Sequence, residues 1–453
     1  MMIDPFDGDG YLPSNDNAWL RMDDRTNRMI VTGVLIFDDR VPYDDLVDRF
    51  DDRLTRFDRF RQRLVEPWHG MRPRWEEDPL FEVENHVTHV ALPEPQGEEE
   101  FQGFVGDVMD DDLDHGRPLW QTWLVEGAGD GDGNALVVRI HHALADGFAL
   151  LYVLFGLADN PDEIELPIGE LPPLPGEEGA NGTDDTDSRL PDASSPLERL
   201  SRGAKAAGSV LSSFPLSREP ETPLRGRLTA SKRVSWTRTF GLDDVKSAAH
   251  SHDGTLNDLL MAVTAGAFRR YTEERDTEVP QDLELTTAMP VNLKPLADRD
   301  EQLGNYFGLG FIDLPVGVRD IRRRVRAVQD RTGVLKQGTE ARMTYSALDA
   351  VGAMPDSVQD VASTAFRGRV TAAITNVPGP LEPLEIAGTE VDDIIFWAPT
   401  TEDIGIGLSI FSYGGRVRIG VAVNENVVPE PDALADAFEE EMEEVLASTA
   451  ANP

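Results

Sequence analysis

Two adjacent histidines stand in the run His141-His142-Ala143-Leu144-Ala145-Asp146-Gly147, directly behind the apolar stretch Ala135-Leu136-Val137-Val138-Arg139-Ile140. An imidazole titrates near neutral pH, so at the end of a buried strand it can take a proton from an attacking alcohol and return it to a leaving group. Neighbouring residues on a strand face opposite sides. Only one of the pair can therefore serve a given cleft; His142 is the expected base, and His141 is expected on the packed side. Asp146, one turn further on, is placed to brace the loop. Gly147 permits a positive φ or a close backbone approach where the chain enters the apolar segment 148–157, expected to be a buried helix. This chemistry points to acyl transfer. Two other readings of the same residues compete with it, a satisfied pair in the core and a metal site using the HxxxD spacing. Metal ranks last, because the chain has no cysteine and His69, His86, His89, His115, His250 and His252 show no ligand-like spacing.

The elements that must carry these residues read as α/β. In the first half, residues 29–37 and 135–140 have strand patterns and 43–57 a helical one. From residue 159 to about 221 the composition shifts to Pro, Gly, Asp, Glu and Ser, with Pro172-Pro173-Leu174-Pro175-Gly176 and Asp184-Asp185-Thr186-Asp187, which reads as a linker with one short helix at 196–211. The second half contains a helix at 256–271 that Thr255 can cap. Ile404, Ile406, Leu408 and Ile410 alternate into a Gly414-Gly415 turn and return through Val417, Ile419, Val421 and Val423, a hairpin with one buried face. An amphipathic helix at 432–446 closes the chain. A length of 453 residues exceeds what one core of about 250–300 residues supports. The expected organisation is a first domain at 1–158, the linker at 159–221 and a second domain at 222–453.

Composition restricts the setting. The chain carries 83 acidic and 42 basic residues, a formal charge of −41, and only five of the basic residues are lysine. That balance fits a protein adapted to high salt, where carboxylates keep the surface hydrated and screening acts over about 3 Å at 1 M. Such a surface repels nucleic-acid phosphates. The absence of cysteine excludes disulfides, a thiol nucleophile and thiolate metal sites. The start Met1-Met2-Ile3-Asp4-Pro5-Phe6 has neither a basic nor an apolar targeting pattern, and no run of 18 apolar residues occurs, so the expectation is a cytoplasmic protein, at most peripheral to a membrane or lipid inclusion.

Besides HHALADG, the segments PLWQTWLVEG at 118–127, LND at 256–258, MPVNLKP at 289–295, LGN at 303–305 and TNVPGP at 375–380 occur in one order along the chain. Together they resemble the wax ester synthase/diacylglycerol acyltransferase family, O-acyltransferases of the CoA-dependent acyltransferase superfamily, almost end to end. HHxxxDG alone is shared with peptide-synthetase condensation domains; the PLW and NVPGP segments make the resemblance more specific. It implies two similar α/β domains with mixed sheets flanked by helices, a crossover, and a tunnel between them that admits acyl-CoA from one side and a hydrophobic alcohol from the other. It implies acyl transfer to an alcohol or diacylglycerol hydroxyl, giving wax ester or triacylglycerol, without a covalent enzyme intermediate and with no cofactor or metal besides acyl-CoA as cosubstrate. By the same carry-over His142 is the base, Asp146 is structural and held by an arginine, and Asn257 is the leading candidate from the second domain.

Asp258, Asn376 and Trp120 are the further residues expected to meet substrate. The bland alternatives are a helix start for Asn257, a turn-shaping role for Asn376 and a packed ring for Trp120. The CoA phosphates need basic surface on this acidic chain, and two islands offer it. One contains Arg225, Arg227, Lys232, Arg233 and Arg238; the other contains Arg322, Arg323, Arg324 and Arg326. Ion pairing with nearby acids is the competing reading of both. A binding protein without turnover and an enzyme using a carrier-protein thioester are the alternative functions.

Overall fold

The computed structural model describes residues 10–66, 72–128, 133–161, 164, 219–275, 278–293, 303–335, 339–352, 369–400 and 404–450. Most of the expected linker, with its short helix at 196–211, lies outside them. The first half runs α1 (Ser14–Arg21), β1 (Ile30–Phe37), α2 (Tyr43–Arg53), a small hairpin of β2 (Gln62–Val65) and β3 (Arg74–Glu77), β4 (Val87–Ala91), α3 (Glu98–Asp110), β5 (Trp120–Glu126), β6 (Asn134–His141) and α4 (Gly147–Gly156). The second runs β7 (Lys232–Trp236), β8 (Phe240–Gly241), α5 (Leu242–Ser251), α6 (Leu256–Glu273), β9 (Leu285–Asn292), β10 (Phe307–Leu314), α7 (Ile321–Leu335) and α8 (Thr339–Gly352). It ends with β11 (Ala372–Pro378), β12 (Glu385–Ile386), β13 (Thr389–Trp397), β14 (Ile406–Tyr413), β15 (Arg416–Asn424) and α9 (Pro431–Ala450).

Two mixed sheets organise these elements. The first has the order β12-β13-β1-β6-β5-β4; the second has β10-β9-β11-β14-β15-β7, with β8 also on β15. The fold is the expected α/β arrangement, but the sheets do not divide at residue 222. β13 crosses over and pairs antiparallel with β1, Gly33 facing Phe396 and Leu35 facing Ile394, so part of the second half completes the first sheet. β6 is apolar on both sides because both are covered. Leu136 and Ile140 join the core beneath α4, while Ala135 and Val137 pack with Phe101, Val105, Trp236 and Trp397.

Local signals explain the helix starts. The Asp146 side chain accepts the Ala149 amide at 2.9 Å and caps α4. Thr255 and Asp258 form a reciprocal capping box at the head of α6. The Gly414-Gly415 turn has φ of 54° and 72°, the left-handed pair that a tight hairpin requires. Helix α1 packs on α8 across the molecule, and there Gly352 cannot carry a Cβ, which would strike the Ser14 carbonyl. Asn17 Nδ2 donates to the Gly352 carbonyl at 2.8 Å in the same contact. No helix among the described residues is long and apolar enough to cross a membrane.

Candidate active site

Strand alternation separates the two histidines. Leu136, Val138, Ile140 and His142 all line one cavity, whereas His141 turns to the opposite side and is fully buried. His141 Nδ1 accepts the Ala143 amide at 3.0 Å, and its Nε2 lies 3.3 Å from Asp23 Oδ2. Burial pushes the His141 imidazole below its usual range, against the pull of Asp23. Burial alone would raise Asp23, but hydrogen bonds from His141, Arg28 and the Met29 amide hold it below the ordinary carboxylate range.

His142 stands one residue past the end of β6, its amide donating to the Met29 carbonyl at 2.7 Å. Its ring stacks on Trp19 at 4.7 Å and tilts against Phe307 at 5.3 Å. Its Nδ1 lies 2.7 Å from Asn305 Oδ1. The tautomer follows from the Asn305 amide. Asn305 Nδ2 donates to Asp16 Oδ1 at 2.9 Å and to the His142 carbonyl at 2.8 Å, both obligate acceptors, so Oδ1 is an acceptor and His142 Nδ1 must carry the proton. The lone pair is then on Nε2. Burial presses the His142 pKa down to about 4, against the opposing pull of Asp146 and Asn305, so the ring is neutral at pH 7, with its Nε2 lone pair free to accept a proton.

A buried chain extends behind this pair. Asp16 also accepts the Asn305 backbone amide at 3.1 Å and meets Arg59 Nη1 at 3.0 Å through Oδ2. Arg59 Nη1 donates in addition to the Leu144 carbonyl at 2.6 Å, which ties the chain to the HHALADG loop. Burial pushes the Asp16 carboxyl up, while Arg59 and Asn305 pull it the other way.

The cavity in front of His142 has a volume of about 230 Å³ and lies between the two sheets. Its walls are apolar, with Trp19, Trp120, Val138, Phe307, Leu309 and Phe396 among them. Trp120 is at once a packed ring and part of the wall. Its Nε1 donates to the Phe60 carbonyl at 2.9 Å and it stacks on His86 at 4.5 Å.

The expected residues from the second half divide. Asn376 lines the cavity, and its Nδ2 donates to Asn257 Oδ1 at 2.9 Å, so the LND and TNVPGP segments meet beside the site. Asp258 does not reach it. One oxygen returns to the Thr255 amide at 3.0 Å and the other accepts from Thr332 at 2.8 Å, because the third position of a capping box points back to its own helix start. The Asp146 carboxylate accepts backbone amides on both oxygens, Ala149 on one and Tyr306 at 2.8 Å on the other.

Neither basic island lines the cavity; Lys232 lines a separate small recess that shares Ala398 and Pro399 with it. Arg233 meets Glu425 at 3.2 Å, Arg225 meets Glu219 at 2.6 Å and Arg238 meets Glu443 at 2.7 Å. Acids outside the run, one close by at Glu219 and two distant in sequence at Glu425 and Glu443, pair with these arginines. Arg324 is buried against Glu441, and Arg323 lies exposed on α7 with its amide on Asp320. Lys232 is pressed down to about 8 by burial, its Nζ on Asn27 Oδ1 at 2.5 Å. No group of three or more His, Asp or Glu among the described residues is disposed to hold a metal.

Asn305, Asp16, Arg59, Trp19 and Phe307 are the site residues that the motifs left unassigned. Asn305 ends the LGN segment, but nothing local couples it to a histidine 163 positions away. The polar run Ser14-Asn15-Asp16-Asn17, buried throughout at the head of α1, is the one anomaly in the sequence that marks Asp16.

Two similar sheets around an apolar cavity, with HHxxxDG at its wall, define the CoA-dependent acyltransferase class of fold. The catalytic-domain model of the wax ester synthase/diacylglycerol acyltransferase family matches residues 12–260, and the model of its C-terminal domain matches residues 303–445. A putative diacylglycerol O-acyltransferase of Mycobacterium tuberculosis is 31% identical over 435 residues, covering 89% of this chain and 88% of the relative. Among solved structures, the wax ester synthase/diacylglycerol acyltransferase of Marinobacter aquaeolei VT8 superposes with a TM-score of 0.69 at 21% identity, over 97% of this chain and all of that one. A mutant starter condensation domain of rhizomide synthetase, in complex with C8-CoA, gives 0.57 at 15% identity, over 97% of this chain and 95% of that one. The chain belongs to the wax ester synthase/diacylglycerol acyltransferase family, and it is an acyltransferase.

Proposed function

We propose that this enzyme moves an acyl group from acyl-CoA to the hydroxyl of a long-chain alcohol or a diacylglycerol, with His142 Nε2 as general base. One observation carries the role of His142: the Asn305 oxygen holds the proton on Nδ1 and leaves a neutral Nε2, its lone pair free, on the wall of an apolar cavity. The alcohol binds with its O–H toward Nε2 and its oxygen toward the thioester carbonyl. As the new C–O bond forms, the proton passes to Nε2, and the imidazolium is stabilised through Nδ1 by the Asn305 oxygen. The tetrahedral oxyanion then collapses, the C–S bond breaks and the CoA thiolate takes the proton back. An imidazolium of low pKa is a strong acid, so the return step is downhill. The apolar wall keeps water from competing for the thioester and suits a water-insoluble acceptor, which the enzyme would meet at a membrane or lipid inclusion.

Purified protein in molar KCl, supplied with acyl-CoAs and with long-chain alcohols or diacylglycerol, tests this reading. The expected result is equal release of CoA and ester, lost in His142→Ala. CoA release without ester, or undiminished transfer by the variant, would refute it.

A further inference from the structure

Gly33 occupies the middle of β1, a strand paired on both sides, yet it is only partly buried. Its open side is the cavity. Val31, Gly33 and Leu35 form the β1 contribution to the wall, and a Cβ built on Gly33 meets nothing within 4 Å. Other glycines near the two sheets have a steric reason: at Gly133 a Cβ would strike the Phe37 carbonyl, and at Gly308 the Ala341 carbonyl. Gly33 has no such neighbour and no left-handed φ. A glycine inside a strand weakens it and marks a place where a ligand approaches the backbone closely.

The pairing register places Gly33 along the cavity. Val31 faces Ile140, Gly33 faces Val138, and Leu35 faces Leu136. Gly33 also faces Phe396, and Val138 faces Thr122, so Phe396, Gly33, Val138 and Thr122 form one row across the sheet, all lining the cavity. Each two-residue step along a strand covers about 6.8 Å, which puts this row about 14 Å from His142 and the Leu35–Leu136 row about 20 Å away. An extended alkyl chain advances about 1.3 Å per carbon, from C–C bonds of about 1.5 Å at tetrahedral angles, so the Gly33 row meets such a chain near its tenth carbon.

We propose that Gly33 sets the length of the linear alkyl chain this cavity accepts: the space left by its missing side chain is the passage from the His142 end to the Leu35–Leu136 end. The inference rests on the acyl-transfer reading of the site. The chain belongs to either the acyl donor or the alcohol acceptor, which share this chemistry. A side chain at Gly33 closes the passage beyond about ten carbons and leaves shorter substrates undisturbed.

Gly33→Leu and Gly33→Ala are compared with the wild type in two series, acyl-CoAs from butyryl to palmitoyl with a fixed short alcohol, and alcohols from butanol to hexadecanol with butyryl-CoA. In one series kcat/KM of Gly33→Leu should fall roughly tenfold or more beyond the cut-off, the scale on which a pocket rejects a surplus methylene, while butyl substrates are unaffected. The series that responds identifies the chain in contact. Gly33→Ala should show a smaller loss at the same lengths, and it keeps the test informative if the leucine variant does not fold. Melting temperatures at or above the wild type are expected, since a strand glycine has been removed. Unchanged length profiles in both series, or an equal loss at every length, would overturn the proposal. Calorimetric binding of butanol through dodecanol is the second readout. If the wild type transfers no acyl group, the acyl-transfer reading fails, and weaker binding of dodecanol but not butanol by the variants still supports the role of Gly33, whereas equal affinities overturn it.

Discussion

Replacing Asn305 by alanine removes three hydrogen bonds at once, the acceptor for His142 Nδ1–H at 2.7 Å and the donors to Asp16 and to the His142 carbonyl at 2.9 and 2.8 Å. The chemical consequence is concentrated on the first. In the transition state His142 becomes an imidazolium, and a hydrogen bond to a charged group contributes about 1.5–3 kcal/mol. At 1.36 kcal/mol per factor of ten, kcat should fall by about 10- to 150-fold. Asn305 is not part of the cavity wall, so KM should stay within about twofold. Asp16 keeps the backbone amide of residue 305 and Arg59, but the buried His142 Nδ1–H loses its acceptor, at a cost of about 1–3 kcal/mol of stability. Steady-state kinetics on variant protein shown to be folded by circular dichroism, with urea unfolding alongside, separates the two effects. A folded Asn305→Ala enzyme with kcat within about threefold of the wild type would refute the claim that Asn305 holds the base in its reactive tautomer.

His142→Ala should lower kcat by about 10²- to 10⁴-fold with the fold retained, and equal activity would dismiss His142 as the base. Because the His142 pKa is depressed from 6.5 to about 4, the wild-type kcat/KM should hold from neutral pH down to about 5 and fall only near 4, as a pH–rate profile will show. The unfolded chain takes up a proton on this histidine between pH 6.5 and 4 that the native state does not, so stability declines as pH falls through that window. That pH dependence is one that His142→Gln should lack in urea titrations at several pH values. Asp146→Asn leaves one acceptor oxygen for the two amides of Ala149 and Tyr306, so it should cost about 1–3 kcal/mol and lower the melting temperature together with the rate. A variant of native stability and no activity would instead place Asp146 in the chemistry. With a formal charge of −41, the protein should gain melting temperature from dilute buffer to molar KCl, and a flat or falling curve would refute adaptation to high salt.

The features legible in the chain were those with short-range causes. Strand alternation sends residues 140 and 142 to one side and 141 to the other, so the assignment of cavity and packed histidines needed only the strand. Asp146 and Thr255 announce helix starts, and Gly414-Gly415 announces a hairpin, because capping and left-handed turns act over a few residues. The same short reach misled at Asp258, whose place beside Asn257 suggested a shared role while the capping box turned its carboxylate inward. At Arg225, Arg233 and Arg238 the ion-pairing reading holds, but the sequence did not say which acids would serve: Glu219, Glu425 and Glu443 meet them in space.

What only the tertiary structure decided concerns partners that sequence distance hides. Asp16, Asn305 and His142 come from three separate segments, and the tautomer of the base depends on all of them being buried together. The crossover of β13 onto β1 is equally invisible, since an alternating strand carries no signal of which sheet edge it will join. Gly33 looks like a weak point in a strand until the register sets it opposite Val138 and Phe396 with open space above it. The amino-acid pattern by itself determined the elements, the reactive motif and the acidic surface, because these follow from neighbours along the chain. The hydrogen-bond chain behind the base and the shape of the cavity in front of it arise from burial and pairing between distant segments, and those exist only once the two sheets have packed.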